Sequence, residues 1–185
     1  SSVAAFFDGE WGLRRMVRHY AELAAEAGGV DAFLIASELR GLTTVRDGVS
    51  SYPAVAKLKA LAGEVRGIVG PGTAISYAAD CSERRGHDAA DGSGDFHFHL
   101  DPLWTDENVD FVGIDWYAPL TDWRDGALHA DAALGDAITA DGVLQAGIEG
   151  GEDYDWYYAS EEDRAAQVRS PISDGAYGKP FVWRA

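Results

Sequence analysis

Cysteine, basic charge and long apolar runs are all scarce in this sequence, and each scarcity excludes something. The 185 residues hold one cysteine, Cys81, so no internal disulfide can form and no metal site can be built on thiolates. No apolar run approaches the ~18 residues of a membrane-spanning helix, so no membrane insertion is expected. Lys and Arg number 15 against 31 Asp and Glu, a net charge of −16. A chain this acidic is repelled by nucleic acid backbones and anionic lipid, which makes both poor partners. As a surface property the same charge serves solubility. No glycine-rich phosphate loop follows a strand and no nucleophilic serine elbow is present, so no cofactor is expected. The start, Ser1-Ser2-Val3-Ala4, lacks the basic and apolar regions of a signal peptide. It also lacks an initiator Met, which reads as a processed or excised chain.

What is present is a globular composition, 46% hydrophobic, in a chain long enough for one good-sized core. Helical patterns alternate with short apolar runs, the signature of an α/β fold. A first helix is predicted over about 12–27, with Leu13, Met16, Val17, Tyr20, Ala24 and Ala27 at helical spacing, and Gly28-Gly29 stops it. The run 30–36 reads as a strand buried on both faces, hence parallel, ending at Ser37-Glu38. Pro53 suits the first turn of a second helix whose stripe is Val55, Leu58, Leu61, Val65 and Ile68. Strands are then expected at 73–79, ending at Asp80, and at 109–114, ending at Asp115-Trp116-Tyr117. Ser160 followed by Glu161, Glu162 and Asp163 opens a further helix, closed by Ser170-Pro171. The run 179–183 is read as a last strand. Four parallel strands are too few for a closed barrel of eight. The sequence therefore implies either an open sheet or about half of a (β/α)8 barrel.

Three successive strands thus end in a carboxylate, Glu38, Asp80 and Asp115, and in a parallel sheet all such ends lie on one edge. Two carboxylates facing across a cleft can cleave a glycosidic bond as acid and nucleophile or base, and burial would keep one of them protonated. The plainer alternative is that each caps the loop or helix that follows it. Aromatics crowd the same edge: Tyr77, Trp104, Trp116, Tyr117 and Trp123. Their faces suit the C–H faces of sugars, or they simply fill the loop core. The alternating run Asp95-Phe96-His97-Phe98-His99 places both histidines on one face, and with Asp101 offers a weak metal pattern; one polar face of a loop strand is the simpler reading. The acids Glu149, Glu152, Asp153 and Asp155 do not follow EF-hand spacing and read as a solvated loop.

A longer series of segments carries a resemblance. It runs through Phe33-Leu34-Ile35-Ala36-Ser37-Glu38-Leu39-Arg40-Gly41-Leu42-Thr43, Ile75-Ser76-Tyr77-Ala78-Ala79-Asp80 and His99-Leu100-Asp101-Pro102-Leu103-Trp104. It continues through Asp110-Phe111-Val112-Gly113-Ile114-Asp115-Trp116-Tyr117-Ala118-Pro119-Leu120, Tyr154-Asp155-Trp156-Tyr157-Tyr158-Ala159-Ser160 and Asp174-Gly175-Ala176-Tyr177-Gly178-Lys179-Pro180. In order and over most of the chain, the series resembles the TIM-barrel-like domain of the large tail protein of gene transfer agents, the phage-like particles of alphaproteobacteria. The resemblance implies that residues 1–185 form a single glycosidase-like domain, a fragment of a longer barrel holding roughly strands four to seven.

That family in turn resembles beta-mannanase-like glycoside hydrolases. The resemblance implies Glu38 as acid/base, with Asp115 and Tyr117 matching the strand-six motif. Ser37 stands where those enzymes have Asn, and Arg184-Ala185 follow the last strand where they carry the nucleophile Glu. The expected function is a hydrolase acting on cell-wall or surface glycan from the tail of a phage-like particle made in the bacterial cytoplasm. Glu38 and Asp115 would be catalytic, and Asp80, Tyr77, Trp104, Trp116 and Tyr117 would bind substrate. The alternative is a non-catalytic tail domain that binds glycan, or scaffolds other tail proteins, with a degenerate site. Expected partners are glycan or peptidoglycan and other tail proteins, with self-association through the open sheet edges of a half barrel.

Overall fold

The computed structural model describes residues 2–117, 119–126, 128–149, 154 and 156–171. The chain divides into two compact units, Ser1–Trp116 and Tyr117–Ala185. In the first, α1 (Ser2–Asp8) and α2 (Leu13–Glu26) precede β1 (Ala32–Ser37), then α3 (Arg40–Thr43), α4 (Pro53–Val69) and β2 (Ala74–Asp80). A 3-10 turn (Glu83–Arg85), a small hairpin of β3 (His87–Asp88) and β4 (Phe96–His97), α5 (Asp101–Trp104) and β5 (Gly113–Asp115) follow. β1, β2 and β5 form one parallel sheet in that order. The fold is thus α/β, with parallel strands and flanking helices and no closed barrel among the described residues, as expected of a partial TIM-barrel-like domain.

The core lies between the sheet and its helices. Pro53 opens α4, whose Val55, Leu58, Leu61 and Val65 are buried together with Ile35 of β1 and Ile75 of β2. Each such side chain contributes about 1.5–3 kcal/mol by leaving water. Gly70, at φ 78°, ends α4 while its N–H still reaches the Arg66 carbonyl. α2 corrects the expected stripe. Its buried residues are Val17 and Ala21, whereas Met16 and Tyr20 are exposed. Apolar residues occupy two sides of this helix, and periodicity alone does not say which side meets α4.

β5 is shorter than the run 109–114 suggested. Ahead of the ladder, one backbone bond, from the Asp110 N–H to the Ile75 carbonyl at 2.8 Å, is reinforced by side chains. The Asp110 carboxylate accepts the Ile75 N–H at 2.7 Å and pairs with Arg66, and the Ser76 hydroxyl donates to the Phe111 carbonyl at 2.5 Å. The ladder begins at Gly113, where only glycine fits the close approach: a Cβ there would stand 2.5 Å from the Tyr77 carbonyl oxygen.

The second unit holds a 3-10 turn (Ala130–Ala133), α6 (Asp141–Glu149), α7 (Glu161–Ala166), and a two-stranded antiparallel pair of β6 (Trp156–Tyr157) and β7 (Ser170–Pro171). Ser160 caps α7 as expected, its hydroxyl accepting the Asp163 N–H at 3.1 Å. The helix is shorter than predicted, because Gln167 turns left-handed and its amide donates to Asp122 at 2.8 Å. Burial works to raise the Asp122 pKa, but Arg124, Tyr158 and Gln167 outweigh it and hold the carboxyl at about 2. The expected strand at 179–183 lies outside the described residues, as do Glu152, Asp153 and Asp155.

Candidate functional site at the carboxyl edge of the sheet

Parallel pairing brings the strand ends together. Asp80 and Asp115 are register partners, and Ser37 pairs with Ala78. Neighbouring strands lie about 4.8 Å apart, so Glu38, Asp80 and Asp115 share one edge. The ladder of β1 shifts register between Leu34 and Ser37, and the chain then turns sharply at Glu38. The Glu38 N–H donates to the Ala78 carbonyl at 2.8 Å, and the next N–H, that of Leu39, donates to the Tyr77 hydroxyl at 2.7 Å. Between these anchors Glu38 adopts φ 51° with its side chain exposed. A left-handed non-glycine residue costs about 1–2 kcal/mol, and the two flanking hydrogen bonds hold it there.

The three acids are not equivalent. Asp115 accepts the Ser37 hydroxyl at 2.6 Å. Asp80 accepts both the hydroxyl and the N–H of Ser82, at 2.5 and 2.8 Å, which lower its pKa, with Arg40 4.0 Å away. Asp80 therefore caps the loop that follows β2. It is held as an anion, opposite to the raised pKa that a strand-end acid donor requires.

One carboxylate of this edge was not legible as functional in sequence. Glu83 is buried, 3% exposed, and accepts from Thr43 Oγ1 at 2.5 Å, from Tyr77 Oη at 2.9 Å and from the Asp80 N–H at 2.9 Å. The signal was present in Asp80-Cys81-Ser82-Glu83. An acid followed three residues later by Glu is the pattern of a capping box, and half of it forms here: Glu83 accepts the Asp80 N–H, while the Asp80 carboxylate accepts from Ser82 instead of the Glu83 N–H. Through Tyr77, Glu83 also supports Leu39 and hence the Glu38 turn.

The expected sugar-stacking aromatics separate into two groups. Tyr77 is fully buried; burial first, and then Glu83, push its pKa up, so it remains a hydroxyl donor beneath the edge. It therefore lines no open surface, and Trp104, half-buried with its ring 6.0 Å from that of Tyr77, packs on the same core. Trp116 remains open, with the Arg84 guanidinium 5.4 Å from its ring, and Tyr117, the first residue of the second unit, is 89% exposed. In that unit Trp123 packs edge-on to His129 at 4.2 Å.

The histidines of the loop alternate as read: Phe96 and Phe98 face outward, while the rings of His97 and His99 both meet Tyr52. They do not combine with Asp101 as ligands. No group of three His, Cys, Asp or Glu among the described residues can hold a metal ion. A cleft of about 350 Å³ lies beside the edge, lined by Arg40, Thr44, Ser82, Glu83, His87 and Asp88 among others.

Parallel strands joined by helices, with acids gathered at their carboxyl ends, define a TIM-barrel-like α/β protein. The chain belongs to the GTA TIM-barrel-like domain family, whose profile matches residues 11–185, and this ties it to gene transfer agents. No curated protein and no solved structure matches it. No helix among the described residues is long and apolar enough to cross a membrane.

Proposed function

We propose that this chain is the glycoside-hydrolase-like domain of a gene transfer agent tail protein, acting on cell-wall or surface glycan during particle entry. Glu38 is the general acid, and Asp115 is the base or nucleophile. The observation that carries this reading is the Glu38 turn, an exposed carboxylate held at φ 51° between two hydrogen-bonded anchors on the edge that also presents Asp115. Backbone strain of this kind persists where the surroundings over-determine it, commonly at functional sites. Trp116 offers an open ring for a sugar face and Asp80 a fixed acceptor for a sugar hydroxyl. The test is Glu38→Gln in the full-length tail protein. Loss of a general acid lowers glycan cleavage by about 10²–10⁴-fold, and unchanged cleavage overturns the assignment.

A second reading, a glycan-binding domain without turnover, is favoured by the engagement of the other two acids, Asp80 with Ser82 and Asp115 with Ser37. It expects saccharide binding that survives Glu38→Gln. Sugar fragments released by the unsubstituted protein, detected by mass spectrometry, would reject it.

A further inference from the structure

We propose that the segment 82–99 is an acid-released latch, in which three imidazoles fasten the β3–β4 hairpin to the start of α4 and a proton added at His97 or His99 lets it open. Tyr52 is the post. Its ring lies 5.6 Å from that of His87, 6.1 Å from His97 and 5.6 Å from His99. The histidines are also neighbours of one another, with centroids 5.7 Å apart for His87 and His97, and 5.0 Å for His87 and His99.

The polar partners of the three rings differ. His87 Nδ1 stands 3.0 Å from the Asp88 carbonyl, which can only accept, so that nitrogen carries the proton. Its Nε2 meets the Tyr52 hydroxyl at 3.0 Å, a group that can donate to it or accept from it. His97 Nε2 lies 3.3 Å from Arg46 Nη1; a guanidinium only donates, so this nitrogen holds a lone pair. His99 is 2% exposed and meets the Thr43 hydroxyl at 3.3 Å, and Thr43 in turn donates to Glu83. His99 Nδ1 is sealed from solvent without a well-formed hydrogen bond, the His97 carbonyl being a weak polar neighbour.

A proton added at His97 Nε2 breaks the Arg46 contact and sets cation against cation. A proton added at His99 Nδ1 is buried without a carboxylate on that nitrogen. The charged groups around the cluster do not cancel this. Arg46 is committed to Asp91 at 2.5 Å, with Asp95 nearby, Glu83 is occupied by Thr43, Tyr77 and Asp80, and Arg40 lines the cleft next to His87. Asp101, on α5, is the acid that acts on His99, and His87 and His97 oppose it. Opening would move away the Gly86–Asp88 wall of the cleft of about 350 Å³ and widen it beside the strand-end acids. The latch stands on this geometry and does not depend on the glycan reading.

The test is amide hydrogen exchange on the full chain from pH 7.5 to pH 4, read as protection factors corrected for intrinsic rates. The expected result is a loss of at least about tenfold in the β3–β4 amides, centred in the imidazole range of about pH 6.5 to 4, while α4 stays protected. The variant His87→Gln/His97→Gln/His99→Gln keeps an acceptor at each site without titrating, and moves the opening at least about one pH unit lower. Imidazole titrations of the unsubstituted chain, followed by NMR, should coincide with the loss even if that variant fails to close. Three results overturn the latch: opening at the same pH in the glutamine variant, loss of α4 protection together with the hairpin, or Asp91→Asn opening the hairpin at neutral pH with no shift in the glutamine variant. The last would assign the acid response to the Arg46–Asp91 pair.

Discussion

The Ser37 hydroxyl donates to the Asp115 carboxylate at 2.6 Å, and because β2 lies between β1 and β5, this one contact ties the two outer strands across the middle one. It places a donor on the acid next to Glu38 in the proposed chemistry. Ser37→Ala removes it from a solvent-exposed position, so the expected stability loss is about 0.5–1.5 kcal/mol, measured by urea unfolding. A loss well above that range would mean that the bridge holds the sheet end together more than a single hydrogen bond does.

Glu83 is the more consequential carboxylate. Glu83→Ala leaves the Tyr77 hydroxyl, the Thr43 hydroxyl and the Asp80 N–H without their acceptor in a buried place. The expected destabilisation is about 3 kcal/mol or more, and Glu83→Gln, which keeps one acceptor oxygen, should lose roughly half as much. A Glu83→Gln protein as stable as the unsubstituted one would argue against a charge-assisted role.

Gly113 marks the point where β5 closes on β2. A Cβ at 2.5 Å from a backbone oxygen cannot be relieved by a rotamer change. Gly113→Ala is therefore expected to lower stability by about 1–3 kcal/mol and to shift the β2 and β5 amide resonances. A neutral effect would show that the strand end has room to move.

His99 makes stability depend on pH. Burial first, and the neighbouring His87 next, lower its pKa to about 4 from the ordinary 6.5. Between those values the unfolded chain binds the proton and the folded chain does not. The contribution of His99 is thus complete above about pH 6.5, falls as pH drops toward 4 and levels off below, at most about 3 kcal/mol in all. Urea midpoints measured between pH 7.5 and 4 should decline accordingly, and His99→Gln should flatten that decline. An equal slope in both proteins would assign the pH dependence to other groups.

The sequence by itself determined much of this protein. Pro53 and Gly70 bound α4, apolar runs after glycine turns became β1 and β2, and Glu38, Asp80 and Asp115 ended three neighbouring parallel strands, because strand direction fixes which end of each run faces the site. Local chemistry also carried the Ser160 cap and the alternation of Phe96 and Phe98 with His97 and His99, though not which of the two faces turns inward. Only the tertiary structure decided the rest. It buried Tyr77 under the edge it was expected to line, gave Asp80 a capping role, made Glu83 the central acceptor and turned Met16 and Tyr20 of α2 outward. Each of these depends on partners far apart in the chain, such as Thr43 with Glu83 or Ser37 with Asp115, and spacing along a sequence does not record which distant side chain supplies a donor or covers a ring.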